Sequence, residues 1–424
     1  MLVDLSVENF GPFRDRTTLS LQATSRKEHP DNVIGCEPIN INLLSSALLF
    51  GPNASGKSHV FKAVNALQSM VKDAFTDDTV YPWYEPFKLD QKCLNSPVSI
   101  QVRFYEEEVL YDYSISFLSD RIVSEKLVYY PMKRAKTVFE RKETKEDFRG
   151  KNKKLLTLLN ATTPFLVLGA KYNDELCSKV RRMINGIVTL ESQIIGSLPL
   201  LSCKFVENDD VKKGMMIGGL QRADFGIVDY KVVDHEMDKE DAKRHLPVET
   251  YEKLFSDSRA SVKGFKIEVK HRYGGSSECA PLEVSFDMDS EESVGTRYMF
   301  GIMGPLVDSL MNGKTLLIDD FGSHLHPLLT RWLVSQFSKK NNPKNAQLIA
   351  ITHDLGLIDT RDLIRRDQIF FTDKNREDGS SVLYCLSDFK GTRKDDQILK
   401  AYLLGRYDAI PLVSSRRVFD VKTD

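Results

Sequence analysis

Residues 45–58 read SSALLFGPNASGKS. Ser45 to Phe50 is a short apolar run that ends at a glycine, the pattern of a strand buried on both faces. Beyond Ser58, apolar residues recur at Val60, Ala63, Val64, Leu67 and Met70, the spacing of one helix face. Between the two, Gly51 to Ser58 match G-x-x-x-x-G-K-[ST] in full. A strand before the motif and a helix after it are the context it requires. The glycines let backbone N–H groups turn inward around phosphate oxygens, and the helix N-terminus adds partial positive charge. Asn53, Ala54, Ser55 and Gly56 would supply that cradle. Lys57 would reach the β- and γ-phosphates, and the Ser58 hydroxyl would ligate Mg²⁺. The expected cofactors are ATP and Mg²⁺.

Three further elements follow in order. Thr315 to Ile318 (TLLI) is a second buried strand, and it ends in Asp319-Asp320. At that edge Asp319 can hold Mg²⁺ through water, while Asp320 can orient or deprotonate an attacking water. Glu292-Ser293-Val294-Gly295-Thr296 puts Ser293 and Gly295 at the predicted start of a helix, a second anion-binding arrangement. His353 follows a third buried strand, Gln347 to Ile351 (QLIAI), where it can contact a γ-phosphate. Short apolar strands alternating with helices predict a mainly parallel sheet.

Elsewhere, residues 2–8 alternate as a half-buried strand, 98–130 read as hairpin-like, and 264–287 return to strand patterns. After Phe139 the chain turns rich in Lys, Arg and Glu, including KNKK at 151–154, and helical patterns run to about 255. The expected division is 1–144, the first half of the nucleotide-binding unit with an antiparallel lobe; 145–260, a largely helical insertion; 261–385, the second half; and 386–424, a tail that could contact a partner. Arg393, Lys394, Lys400 and Arg406 in that tail read as a solvated helix face.

Composition bounds the function. The 424 residues are 41% apolar and 28% charged, with a net charge of −1, so the chain builds a sizeable core and is not a globally basic nucleic-acid binder. No apolar run is long enough to cross a membrane, and the N-terminus lacks the basic stretch of a signal peptide; the expectation is a soluble cytoplasmic protein. The six cysteines form no C-x-x-C pair, which argues against a zinc ribbon or redox site.

The order of P-loop, Ser293–Thr296, Asp319-Asp320 and His353, with 262 residues between Lys57 and Asp319, resembles the ABC-type ATPase head of SMC, RecF and OLD-like proteins. NFGPF (Asn9–Phe13), PFKL (Pro86–Leu89), VFER (Val138–Arg141), LHP (Leu325–Pro327), NAQLI (Asn345–Ile349), RRDQI (Arg365–Ile369) and GRYDAIP (Gly405–Pro411) look like the RloA/AbiLi-like AAA ATPases of abortive-infection systems. The resemblance implies a P-loop head with a parallel core sheet, an antiparallel β lobe and an inserted region. Ser293 to Thr296 would be the signature segment that completes the site of a second subunit, and His353 the switch histidine. It also implies a homodimer or larger symmetric oligomer, and a separately encoded effector such as a nuclease. The trigger would be a nucleic acid or a phage protein, with no membrane involved. Two other readings are a RecF-like repair ATPase acting directly on DNA and a nucleotide-binding scaffold with negligible turnover. Asp320 departs from the family's usual glutamate, which predicts slow hydrolysis. Gln91 is a weak candidate for the Q-loop glutamine. No cluster of carboxylates follows the core, so the chain is not expected to be a nuclease itself.

Overall fold

The computed structural model describes the chain except residues 38, 73–81, 143–147, 192–195, 239, 241–260, 274–281, 360–361, 390–396 and 412–424. The first half contains β1 (Leu2–Glu8), β2 (Thr17–Ser20), β3 (Val33–Cys36), β4 (Ile41–Leu44), β5 (Ser46–Phe50), α1 (Lys57–Lys72) and α2 (Gln91–Leu94). Next come β6 (Val98–Glu106), β7 (Val109–Phe117), β8 (Ile122–Tyr130), β9 (Lys136–Lys142) and β10 (Arg149–Gly150). The middle holds α3 (Phe165–Lys171), α4 (Glu175–Asn185), β11 (Val188–Leu190), α5 (Leu198–Val206), α6 (Asp210–Arg222), β12 (Ile227–Asp238), β13 (Ser261–Tyr273) and β14 (Leu282–Asp287). The last part holds α7 (Val294–Asn312), β15 (Thr315–Ile318), α8 (Pro327–Ser335), β16 (Gln347–Ile351), β17 (Ile369–Lys374), β18 (Ser381–Cys385) and α9 (Ile398–Leu403).

Two large sheets organise these elements. The first has the order β11-β15-β16-β5-β17-β18 and is parallel but for β18. The second is antiparallel, β10-β9-β8-β7-β6-β1-β2. Alternation along β5 explains how the two halves join. Ala47 and Leu49 point into a core shared with α1 and the apolar face of the antiparallel sheet, including Leu5, Ile100, Tyr113 and Leu127. Leu48 and Phe50 point the other way, into a core built with α5, α6, α7 and β13. A strand buried on both faces has no polar register, and all five residues of β5 are buried.

Buried polar groups lock the halves together. Gln347, fully buried on β16, accepts from the Leu2 amide at 2.7 Å and donates to the Leu2 and Leu44 carbonyls. The RRDQI segment is structural. Arg365 pairs with Asp367 at 2.7 Å and also donates to the backbone of residues 24–28, while Arg366 pairs with Glu28.

Residues 145–260, expected as a largely helical insertion, carry α3 to α6 and also strands among the described residues. β11 lies within them and joins the parallel sheet beside β15, and β12 pairs with β13 in a separate three-stranded sheet. Helix α5 is also built into the head. The Ser202 hydroxyl enters the ladder of α7, donating to the Phe300 carbonyl at 2.7 Å and accepting from the Gly304 amide at 2.8 Å, just before Pro305 inside that helix. An inserted hydroxyl beside a proline is a standard cause of a local helix opening.

The end of the chain is packed as well. Tyr402 and Tyr407 stack on Phe371 of β17 with ring centroids 5.3 and 5.9 Å apart, so residues 398–411 are part of the second core. Lys400 and Arg406 are exposed; Arg393 and Lys394 lie outside the described residues. No helix among the described residues is long and apolar enough to cross a membrane.

Candidate functional site

The loop from Gly51 to Gly56 turns through backbone conformations that few side chains tolerate. Gly51 has φ +148° and Gly56 φ +98°, and Ala54 also has a positive φ, +62°. A Cβ on Gly51 would collide with the Thr372 carbonyl of β17, and one on Gly56 would sit 2.8 Å from Pro12. The loop is thus clamped between β17 on one side and the NFGPF segment on the other. Ser55 strengthens the first contact through a 2.5 Å hydrogen bond to the Thr372 hydroxyl. Asn9 sets the second: its amide donates to the Cys93 and Ser96 carbonyls and its oxygen accepts from the Phe87 amide.

Lys57, at the first turn of α1, is 7% exposed. Its ammonium donates to the Gly51 and Pro52 carbonyls at 2.8 Å each. Burial lowers it from 10.5 to about 8, against the pull of Asp319. Asp319 ends β15 across the cleft. Burial pushes its carboxyl up, while a hydrogen bond from the Ser58 hydroxyl draws it back. Ser58 and Asp319 therefore already face each other, as two ligands of one cation must.

Strand order explains why the remaining residues meet here. β16 lies between β5 and β15, so the residues just beyond it emerge between the P-loop and Asp319. The second residue past the strand is His353, after Thr352. Its neighbours are pinned: the Thr352 hydroxyl donates to the Phe321 carbonyl at 2.7 Å, and Asp354 accepts from the Thr330 hydroxyl at 2.6 Å. Burial and the Lys57 charge hold the His353 imidazole below its ordinary value, against Asp320 and Asp319, so it is neutral at pH 7 and can donate one hydrogen bond and accept another. Asp320 takes a left-handed conformation, φ +56°, with its carbonyl accepting from Tyr298 of α7 at 3.3 Å. Asn53, Ala54, Gly56, Lys57, Ser58, Asp319, Asp320 and His353 line one open cleft of about 560 Å³, together with Pro12, His59 and Lys62. Among the described residues no cluster of three or more His, Cys, Asp or Glu could cage a metal. A Ser–Asp pair suits Mg²⁺ instead, which shares its coordination with phosphate and water.

Ser293 and Gly295 stand apart from this cleft. Ser293 caps α7, accepting from the Thr296 amide at 3.1 Å, and its side is exposed. Glu292, beside it, is held by His271 of β13 at 2.6 Å. Gln91 is exposed on the short α2 and does not line the cleft.

Sequence reasoning missed Pro12, His59, Lys62, Thr372 and Tyr298. His59 and Lys62 follow Ser58 at helical spacing and could have been read from it. Tyr298 and Thr372 carry no local signal, since only the packing of α7 and the position of β17 bring them to the loops.

A P-loop, a carboxylate pair at the end of β15 and a histidine just past β16 thus surround one cleft with the donors and acceptors a nucleoside polyphosphate and Mg²⁺ require. The model of the family described as "AAA domain, putative AbiEii toxin, Type IV TA system" matches residues 46–166 and 280–359, the two stretches that carry the P-loop, Asp319 and His353, and there the chain is similar to that family. No curated protein matches it. Among solved structures it is similar to an SmcHead bound to the C-winged helix domain of ScpA, at 12% identity and TM-score 0.47, covering 91% of this chain and 97% of that one. It is similar to an SMC head domain from Thermotoga maritima, at 11% identity and TM-score 0.40, covering 91% and 98%. The recombination mediator RecF aligns at 13% identity and TM-score 0.37, covering 90% and 98%.

Proposed function

We propose that the protein binds and hydrolyses ATP with Mg²⁺, and that it serves as the sensor or scaffold of an RloA/AbiLi-like abortive-infection system with a separately encoded effector, a nuclease being the expected kind. The observation that carries the catalytic part is the meeting of Lys57, Ser58, Asp319, Asp320 and His353 around one cleft. Lys57 and the α1 N-terminus bind polyphosphate through charge and N–H donors. Ser58 and Asp319 hold Mg²⁺, which would neutralise charge on the phosphate oxygens. Asp320 orients water and takes up its proton, and His353 offers a neutral donor. One methylene less of reach at Asp320 makes this hydrolysis slow.

The exposed Ser293 cap is not among the residues lining its own cleft, which supports a role across a homodimer or larger symmetric assembly. Association should require ATP and Mg²⁺, and light scattering should detect it at micromolar concentration. A protein that stays monomeric with and without nucleotide refutes the shared site. Lys57→Ala should abolish nucleotide binding and turnover with the fold intact; unchanged affinity and turnover refute the catalytic assignment. A second reading, an ATPase that acts directly on DNA in repair, is favoured by the concentration of Lys and Arg between residues 133 and 154. Turnover stimulated by DNA in the purified protein, with no effector gene beside its own, would select it.

A further inference from the structure

We propose that the far edge of the antiparallel sheet, β9 and β10 with Lys133–Arg134 before them and Lys151–Lys154 after them, docks the phosphate backbone of a nucleic-acid duplex. Residues 133–154 contain ten Lys or Arg and four Asp or Glu, a local excess of six positive charges in a chain whose total is −1. The count takes in residues 143–147, which lie outside the described ones; the surface itself rests on the rest. Lys133, Arg134 and Lys136 open β9, Lys142 closes it, Arg149 lies beside it on β10, and the KNKK run follows; all of these cations are exposed. The one described acid on β9, Glu140, is already paired with Lys126 at 3.3 Å. Arg141 is no part of the surface, because it is buried and donates to the Thr163 carbonyl at 2.8 Å.

The shape fits a backbone and not bases. At about 3.3 Å per residue, β9 spans roughly 20 Å, with one shift of register against β8, enough to meet several phosphates of a duplex. Single strands are gripped by exposed aromatic rings on which bases stack. Here Phe139 and Phe148 turn inward, 1% and 2% exposed, and both pack on Phe165 at 4.7 Å. Lysines on an edge strand also deter aggregation, but that role predicts no affinity for polyanions. The rim contributes no residue to the nucleotide cleft, so the proposal stands without the ATPase reading.

The test is fluorescence anisotropy of the full chain with a labelled 30-base-pair DNA duplex, its RNA counterpart and the single strand, from 50 to 200 mM salt. Four or five phosphate contacts predict a log–log salt slope near −4. Joint replacement K133Q, R134Q and K136Q should weaken duplex binding at least tenfold at 100 mM salt. It should also make the slope about 2.7 less steep (three contacts at ~0.9 each) while ATP binding is retained. Replacing the three lysines of the KNKK run should weaken binding from the other end and remove the remaining one or two contacts, making the slope about 1 to 2 less steep, and Lys57→Ala should bind duplex like the wild type. The two duplex arms identify DNA or RNA as the tighter partner. Rim variants with wild-type affinity and slope overturn the proposal. So does a single strand that competes equally, or a wild type that ignores duplex at 50 mM salt yet binds phosphatidylserine vesicles.

Discussion

Lys57 should make ATP affinity depend on pH between about 7 and 9. Burial holds its ammonium at about 8, whereas a lysine against polyphosphate keeps its proton to its ordinary value near 10.4 or beyond. Binding therefore takes up a proton whenever Lys57 begins neutral. The charged fraction is about 0.9 at pH 7, 0.5 at pH 8 and 0.1 at pH 9, so affinity should fall roughly tenfold from pH 7 to pH 9. Burial holds His59 and His353 both below the ordinary histidine value. Titration calorimetry with excess Mg²⁺, repeated in buffers of different ionisation heat, should show proton uptake of about 0.1 per ATP at pH 7 and about 0.9 at pH 9. Lys57→Met should bind weakly and without this slope. Equal wild-type affinity at pH 7 and 9, or the same slope in the methionine variant, refutes the reasoning. For folding the same lowered value acts alone. An unfolded lysine keeps its proton to about 10.4, so the cost of burying the Lys57 ammonium is present below pH 8 and fades as pH rises through that interval.

Three other expectations concern single side chains. Asp320→Ala should still bind nucleotide but lose turnover and accumulate the associated ATP state. Asp320→Glu should raise turnover about tenfold and lose about 1 kcal/mol of stability, because φ +56° suits aspartate better than longer side chains; single-turnover hydrolysis and denaturant melts read the two effects. Tyr298→Phe removes the hydroxyl that serves both the Asp320 carbonyl and the Gly322 amide. At about 1–3 kcal/mol for unpaired groups, turnover should drop at least fivefold with ATP affinity held, as a kcat and KM comparison would show. Arg365→Met leaves Asp367 buried and uncompensated, and should cost about 3–5 kcal/mol in urea unfolding.

The nucleotide cleft was legible because its parts are local. A buried strand, a glycine turn and a helix face occupy one contiguous stretch, and Asp319 and His353 each sit one or two residues past an apolar run. The middle of the chain was not legible, for a physical reason. β11 is three residues long, and a short apolar run has no period to separate a strand from a helix turn. Only its partner β15, more than a hundred residues away, makes it a strand. The RRDQI and NFGPF motifs were read as family marks; the fold shows them as polar clasps whose partners lie far away in sequence, which no periodicity reports. Nothing local in the sequence marks Tyr402 and Tyr407 as core residues either; their rings find Phe371, about thirty residues earlier in the chain.

The place of β11 has a consequence for how such a protein can change in length. The Asp319 amide donates to the Leu190 carbonyl at 2.8 Å, and Ser202 supplies the hydroxyl lodged in α7. A shortened variant that removes residues 188–206 would strip the Asp319 strand of its neighbour and leave buried backbone groups of α7 unmatched. That stretch is keystone and not ornament. Tolerated gain and loss of sequence should fall beyond Asp238 and before Ser261, where the β12–β13 pairing ends, so a tag or a foreign module grafted there should leave nucleotide chemistry intact.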